Sequence, residues 1–527
     1  APTMADATAD NVINSAEQTS TLSGTAEAGS SVSLSLGGLT KSLTADANGA
    51  WTYELTAADV TAMGEGAEDI TITATDAAGN TSTTTTKAIA VDTVAPSAPT
   101  IADATADNVI NSAEQTSTLS GTAEAGSSVS LSLGGLTKSL TADANGAWTY
   151  ELTAADVTAM GEGAEDITIT ATDAAGNTSS TTTKAIAVDT VAPTIVSIEA
   201  DAANQQITLS YSAALDNANT IDVTAFNVVI SNNANAVASA TVSGNEVVLI
   251  MTDAFVAGSA VVVGYTDATG DQTTAIQDSA GNDVDSFNSG VVADGYIRGA
   301  QIYLDANGNG VADAEELLTD VVTDALGNFV LSAADNPNGY AIIATGGINI
   351  DTGLPNNTAL KAPAGSSVIN PITTLIQTVV ENNVGTSLAD AKASVNKALG
   401  VSADLDLTTF DPISSLNSGD TNATQALGVQ KAATQIVALI QLATQDKSAE
   451  QAGTDSQNIV NNLVEQIVAT DSAIDFADTA VITAAVSNVA VAVAIVDIVT
   501  VAQTLKNATS IEEVSQAQAE ALDDIAP

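Results

Sequence analysis

The feature that most constrains the fold is an internal repeat covering more than a third of the chain. Residues 1–97 recur as residues 98–194 with three differences: Met4 against Ile101, Thr83 against Ser180 and Ser97 against Thr194. A repeat of this length is one folding unit used twice, so we expect a domain boundary where the copies meet. The opening Ala-Pro-Thr recurs at that boundary, and we therefore expect the sequence to be a piece of something longer.

Each copy consists of short alternating segments separated by turns rich in Gly, Asn and Asp. In the first copy, the segments with strand character are 19–27, 31–36, 41–44, 51–55, 69–75 and 81–91. About seven short strands in fewer than 100 residues are typical of an immunoglobulin-like sandwich. A proline-containing segment then leads into the second copy and restricts the backbone between them.

The turn and linker residues of the repeats also resemble a known family. The relevant motifs are D-N-x-I-N at Asp10–Asn14, D-A-A-G-N at Asp76–Asn80 and D-T-V-A-P at Asp92–Pro96. They resemble the bacterial immunoglobulin-like repeats of giant adhesins that are exported by type I secretion. This resemblance implies extender modules in a long surface fibre.

Residues 195–293 have strand and turn signals of the same kind and predict a third, diverged sandwich. The motifs L-S-Y-S-A-A-L-D at 209–216, V-G-Y-T-D-A-T-G-D at 263–271 and I-Q-D-S-A-G-N-D at 276–283 stand out. They look like a repeat of cyanobacterial swimming-motility and other surface proteins. The resemblance implies a surface location and no particular chemistry.

A twelve-residue stretch, D-A-N-G-N-G-V-A-D-A-E-E at 305–316, has the spacing of a calcium-binding loop. Oxygen-bearing side chains occupy positions one, three, five, nine and twelve, and Gly310 is at position six, where the chain must turn sharply. Position seven would contribute a backbone carbonyl. The alternative is an acidic Asn-Gly turn that binds no metal. The candidate calcium ligands are Asp305, Asn307, Asn309, Val311, Asp313 and Glu316.

The residues before this loop predict a strand and no entering helix. Residues 296–304 are rich in β-branched and aromatic residues, so we expect a calcium loop attached to a sheet. Together with 323–329 and 339–343, the segment looks like the calcium-binding B domains of serine-aspartate repeat adhesins. That resemblance implies a small sandwich that calcium makes rigid.

Beyond about residue 364 the apolar residues recur at three-and-four spacing, which predicts a bundle of helices. Gly400 is expected to end one of them. An apolar run at 489–496 is too short to cross a bilayer, so we expect no membrane span. The predicted helical segments are 368–380, 388–399, 424–444, 457–469, 478–506 and 511–522.

The composition excludes several classes of function. Against 63 Asp and Glu there are 11 Lys and Arg, which gives a net charge of −52. Nucleic acid and anionic membranes are therefore unsuitable partners, because both require a basic surface. A chain this acidic repels itself and needs counter-ions, high salt or bound divalent metal to stay compact.

The chain contains neither cysteine nor histidine. It therefore has no disulfides, no thiolate nucleophile and no Ser-His-Asp triad, and it lacks the usual ligands of zinc. Aromatic residues for stacking on sugars make up 3% of the sequence. We expect no catalysis, and we expect calcium to take the stabilising role that disulfides have elsewhere.

A second metal hypothesis concerns the junctions between successive sandwiches. The exit of each repeat should face turns of the next domain, and acidic groups that converge there would repel one another unless a cation bridges them. Ordinary solvated turn residues are the alternative. The residues of these candidate interdomain sites are Asp92, Asp143, Asp173, Asn177, Asp189, Asp278 and Asn282.

The sequence thus predicts a calcium-stiffened structural segment of a secreted bacterial surface adhesin or fibre, located at the cell surface. Its expected partners are calcium and neighbouring copies or further repeats of the same surface protein. Two alternatives remain open, a subunit of a self-assembling surface layer or filament and an extracellular hydrolase with accessory modules. The predicted domains are 1–97, 98–194, 195–293, 294–360 and a helical domain at 361–527.

Overall fold

The computed structural model describes residues 1–257, 259–267, 274–383, 385–418, 421–445, 447–491 and 493–523. Two compact units make up the chain, Ala1–Val191 and Ala192–Pro527. Strands dominate up to residue 369, and helices dominate the remainder. The predicted fold class, mainly β with tandem immunoglobulin-like sandwiches and a helical region at the C-terminal end, is confirmed.

The two repeats of the first unit have the same elements in the same order. In repeat 1 these are β1 Val12–Ile13, β2 Thr21–Thr25, β3 Ser31–Leu36, β4 Leu39–Thr44, β5 Ala50–Glu54, α1 Ala57–Met63, β6 Gly66–Thr75 and β7 Thr85–Val91. In repeat 2 they are β8 Val109–Ile110, β9 Thr118–Thr122, β10 Ser128–Leu133, β11 Leu136–Thr141, β12 Ala147–Glu151, α2 Ala154–Met160, β13 Gly163–Thr172 and β14 Thr182–Val188.

Each repeat is a sandwich of a larger and a smaller sheet. In repeat 1 the strand order is β1-β7-β6-β3-β4, with β1 parallel to β7, and β2 pairs with β5 in the second sheet. Strand β3 alternates between serine and an apolar residue, so Val32, Leu34 and Leu36 all point into the core. Trp51 is buried in the same core.

A short helix in each repeat is fixed to the sheet by a buried carboxylate. Thr56 caps α1 through a capping box with Asp59, and Asp59 also accepts a hydrogen bond from Tyr53 Oη at 2.6 Å. Lys41 Nζ on β4 lies 2.7 Å from the other carboxylate oxygen. Burial opposes ionisation of Asp59, but these donors outweigh it and hold its pKa below the usual range.

The second unit begins with the third predicted sandwich. Its first sheet has the order β15-β16-β20-β19 and its second the order β18-β17-β21-β22-β26, where β26 is Asn328–Ser332. Strand β30, Val368–Ile369, pairs with β22 in parallel. The end of the V-G-Y-T-D-A-T-G-D motif, residues 268–271, lies outside the described residues. The strands are β15 Ile195–Asp201, β16 Gln206–Tyr211, β17 Phe226–Ile230, β18 Asn233–Ala234, β19 Val237–Ser243, β20 Glu246–Met251, β21 Val261–Tyr265 and β22 Phe287–Val292.

A second group of strands surrounds the predicted calcium loop, and two of its members, β26 and β30, also complete the sheet described above. These strands are β23 Ile297–Arg298, β24 Gln301–Asp305, β25 Leu317–Val322, β26 Asn328–Ser332, β27 Ala341–Thr345, β28 Ile348–Asn349, β29 Leu360–Ala362 and β30 Val368–Ile369. Four of them form a sheet in the order β25-β24-β27-β29. The core under this sheet contains Ile302, Ile342 and Phe329.

The helical region packs around one long central helix. Its helices are α3 Pro371–Asn382, α4 Leu388–Leu399, α5 Pro412–Ser418, α6 Ala423–Thr444, α7 Ala449–Ala469, α8 Thr479–Ala485, α9 Ile495–Asn507 and α10 Ile511–Asp523. Gly400 ends α4 in the left-handed conformation, as predicted. The predicted continuous helix over 478–506 is instead the two helices α8 and α9.

Among the described residues, α6 is the one helix whose length and apolar composition would allow it to cross a bilayer. Most of it is buried inside the protein, where Ile436 and Ile440 join the core of the helical region. Burial of this kind is what a core helix of a globular domain requires.

Candidate metal centre

The predicted calcium loop connects two neighbouring strands of the four-stranded sheet. Strand β24 ends at Asp305, the first candidate ligand, and β25 begins at Leu317, directly after the last one. A single turn of 3₁₀ helix, Ala314–Glu316, closes the loop. A strand therefore enters the loop, as the sequence indicates.

Backbone amides of the loop point at the side chains of the candidate ligands. Gly310 N donates to Asp305 Oδ2 at 3.1 Å, and Asn307 N donates to Glu316 Oε1 at 3.0 Å. Two Asx turns follow, in which Asn309 N donates to Asn307 Oδ1 and Val311 N donates to Asn309 Oδ1. The loop thus folds inward around its own polar groups.

Asp313, at position nine, faces the two asparagines. Its Oδ2 accepts hydrogen bonds from the side-chain amides of Asn307 at 2.7 Å and Asn309 at 2.8 Å. The side chains at loop positions three and five therefore contact the side chain at position nine directly. The Val311 side chain is half exposed. Because valine has no side-chain oxygen, its predicted contribution is its backbone carbonyl.

Two carboxylate oxygens of the loop are buried without a hydrogen-bond donor among the described residues. They are Asp305 Oδ1 and Glu316 Oε2, at positions one and twelve. A buried carboxylate oxygen without a partner is costly, and a hard divalent cation would be a suitable partner for it. By donor type, the carboxylate, amide and backbone oxygens of the loop fit a calcium ion.

No group of three or more Asp, Glu, His or Cys close enough to share a metal occurs in the part of the chain that the structure describes. This finding covers Asp305, Asp313 and Glu316, so their three carboxylates do not converge as a metal-holding group in this structure. A calcium ion would have to draw them together with the oxygens of Asn307, Asn309 and the Val311 carbonyl. Binding of calcium by the loop stays a prediction.

The junction between the two repeats brings together three of the predicted interdomain residues. Asn177 is 1% exposed and its side-chain amide donates to the Asp92 carbonyl at 2.9 Å and to Asp173 Oδ2 at 3.0 Å. Its side-chain oxygen accepts a hydrogen bond from Ser15 N at 2.8 Å. Asn14 adds a bond from its amide to the Ala175 carbonyl.

The same turn in repeat 1 provides an internal comparison. Asn80 makes the corresponding bond to Asp76 at 2.8 Å, but it is exposed to solvent. Burial of Asn177 therefore comes from the contact with the preceding repeat. The junction is built from amide and backbone groups, and a bridging cation there stays a prediction.

Two of the remaining candidate interdomain residues, Asp143 and Asp278, form hydrogen bonds within their own turns. Asp143 accepts from the backbone amides of Asn145 and Ala147, which lower its pKa. Asp278 accepts from Asn282 in the second unit, and both are buried. Asp189 belongs to the first unit, and its pairing with the Asp278 turn stays a prediction.

Two buried charged residues could not be identified from the sequence. Lys361 on β29 is 2% exposed and forms an ion pair with Glu381 on α3. Asp294, after β22, is also 2% exposed. A lysine is almost never buried without a charged partner, but its partner cannot be read from the sequence because it lies on another element.

Family models match three segments in the first 270 residues. Residues 4–93 and 100–190 match the family model of a bacterial Ig-like domain. Residues 188–270 match a putative flagellar system-associated repeat. Residues 4–93 and 100–190 are therefore similar to bacterial Ig-like domains, as the repeat motifs indicate, and residues 188–270 are similar to the second family. A search of curated proteins found no match.

Three solved structures with similar sequence come from ice-binding adhesins. One is described as a Ca2+-stabilized adhesin that helps an Antarctic bacterium reach out and bind ice. Its sequence is 27% identical, the match covers 70% of this chain and 98% of the adhesin chain, and the TM-score is 0.30. A second, from a 1.5-MDa bacterial ice-binding adhesin, is 25% identical over 51% and 93%, with a TM-score of 0.27. A bacterial immunoglobulin-like domain of the M. primoryensis ice-binding adhesin is 38% identical over 17% and 95%, with a TM-score of 0.15.

Proposed function

We propose that this chain is a calcium-stiffened structural segment of a bacterial cell-surface adhesin, and that the immunoglobulin-like domains extend it away from the cell. The observation that carries this function is the repeat junction. Two nearly identical domains meet through Asn177. Repeat 1 has the same residue types in its own equivalent turn, Asp76–Asn80. A contact made by repeated residues generates a regular array when copies are added.

Calcium has a structural role in this proposal. The oxygens of Asp305, Asp313 and Glu316, with those of Asn307, Asn309 and the Val311 carbonyl, would hold one ion in the loop after β24. The ion would neutralise buried carboxylates in a chain that has no disulfides. We retain the five predicted domains as the modular division of this segment.

The junction can be tested with a matched pair of variants, because the two repeats share their sequence. In a protein of residues 1–191, Asn177→Ala removes the bonds to Asp92 and Ser15 and leaves both backbone groups unsatisfied, at a cost of about 1–3 kcal/mol. Asn80→Ala makes the same change at an exposed turn. Small-angle scattering should show greater interdomain flexibility for Asn177→Ala than for Asn80→Ala or the unsubstituted protein.

The same measurement, repeated with calcium and with chelator at constant ionic strength, tests the interdomain metal. A stiffer pair in calcium would support a cation near Asp92 and Asp173. Equal dimensions in both buffers would reject that cation and leave the hydrogen bonds and the proline linker as the source of stiffness. Equal flexibility of both variants and the parent protein would contradict the proposed extender role.

A further inference from the structure

A buried ion pair lies directly under the predicted calcium loop. Lys361, at the centre of β29, pairs in register with Ile343 of β27, and its side chain is 2% exposed. Its Nζ lies 2.7 Å from Glu381 Oε2, near the C-terminal end of α3. Gln377, one turn earlier on α3, donates to the other oxygen of Glu381 at 3.0 Å. The pair joins the sheet to the first long helix after it.

Gly310 brings the loop into contact with this pair. The residue is buried and has a φ of +69°, and a Cβ added there would lie 2.6 Å from Lys361 Nζ and 2.9 Å from Glu381 Oε2. Glycine is therefore required at loop position six for two reasons, the left-handed backbone and the closeness of the ion pair. The loop backbone at Gly310 therefore packs against the Lys361 ammonium and the Glu381 carboxylate.

The contact is continuous from the candidate ligands to the helix. Gly310 N donates to Asp305 Oδ2, so the turn over the ion pair is tied to the first candidate ligand. Strand β24 pairs with β27, and β27 pairs with β29, which places Asp305 and Lys361 on one sheet. The backbone N–H of Lys361 donates to the hydroxyl oxygen of Thr374 on α3 at 2.8 Å, which is a second link between β29 and the helix.

The charges of the pair have opposite consequences for a cation in the loop. The Lys361 ammonium would repel a calcium ion, and the interaction would be strong because the site is partly shielded from water. Glu381 neutralises that ammonium. A chain with 63 acids and 11 basic residues has nevertheless placed a buried lysine here, where it needs a specific partner.

We propose that the Lys361–Glu381 pair couples the calcium loop to the helical region, so that occupation of the loop by calcium immobilises the C-terminal turn of α3. The inference rests on the proposed calcium site. Coupling is reciprocal: if calcium stabilises this end of α3, a change in the pair must alter the affinity of the loop for calcium.

Two single substitutions in the full chain should have different effects on the calcium affinity. Glu381→Gln leaves the ammonium without a counter-charge, and calorimetric titration should show calcium binding weakened about tenfold. Lys361→Met removes the repelling charge and should leave the affinity unchanged or increase it. Lys392→Met, which removes the α4 partner of the partly exposed pair with Asp406, is the matched control and should have no effect.

Hydrogen exchange of the unsubstituted chain tests the same coupling without any variant. Calcium should slow amide exchange in the peptide that covers residues 376–382, and Glu381→Gln should reduce this protection. Calcium binding without altered exchange in this peptide, or an equal loss of affinity in both single variants, would overturn the coupling and leave the calcium site standing. A chain that binds no calcium at the loop would overturn both.

Discussion

Replacing Asp305 by Asn and Glu316 by Gln together should abolish the stabilisation of the chain by calcium. Both changes preserve shape, but they remove the two charges whose oxygens, Asp305 Oδ1 and Glu316 Oε2, are buried without a donor. For the unsubstituted protein, calcium at one hundred times its dissociation constant should add about 2.7 kcal/mol to the free energy of unfolding. The double variant should gain nothing.

The metal-free state provides a second signature of this site. Without calcium, the double variant should be at least as stable as the parent chain, because two uncompensated buried charges have been removed. Calorimetric unfolding with calcium and with chelator, at constant ionic strength, measures both effects. Asp320→Asn, an exposed change on β25, is the control. A double variant that calcium still stabilises would show that the ion binds elsewhere.

The second large effect concerns Asp294, which is buried between β22 and the C-terminal helix. Its Oδ2 accepts a hydrogen bond from Gln518 of α10 at 3.2 Å, and its Oδ1 has no donor among the described residues. Burial raises the pKa of Asp294, the bond from Gln518 lowers it and repulsion by Asp351 raises it, and the net result is a pKa of about 7. The folded protein therefore favours the protonated acid.

The sign of the pH effect follows from this shift. Because the pKa is higher in the folded than in the unfolded state, the contribution to stability is fully present below about pH 4 and is lost as the pH rises to about 7. A shift of this size corresponds to up to about 4 kcal/mol. Asp294→Asn should therefore be more stable than the parent chain at pH 8, and the two should converge near pH 4.

Urea unfolding of both proteins at pH 8, 6 and 4 measures this difference in the free energy of unfolding. The contributions of the other carboxylates cancel in the difference because both proteins contain them. Asp285→Asn, an exposed change in the preceding segment, is the control variant. A constant difference between parent and Asp294→Asn at all three pH values would contradict a raised pKa for Asp294.

The strands of the repeats could be predicted because their signal is local. In β3 every second residue is apolar, so the period identifies both the strand and the face that it buries. Helix α1 was missed, although Thr56 and Asp59 already had capping-box spacing, because seven residues are too few for a clear helical period. The helix predicted from residue 368 begins at Pro371, since Asn370 caps it and the preceding two residues pair with β22.

The candidate calcium loop was accessible from the sequence because all of its ligands lie within twelve residues. What the sequence could not provide was the environment of the loop. Lys361 and Glu381 are twenty residues apart and meet only because β29 packs against α3. Asp294 and Gln518 are more than two hundred residues apart, so their contact depends entirely on tertiary packing.

The most direct test of a calcium-stiffened segment is to locate the ion. Crystals grown with calcium and measured at a long X-ray wavelength should show an anomalous peak in the loop. We expect the peak at about 2.3–2.6 Å from both Asp305 Oδ1 and Glu316 Oε2, the two oxygens that lack a donor. The absence of a peak there, with both oxygens bound instead to water or to protein donors, would contradict the account.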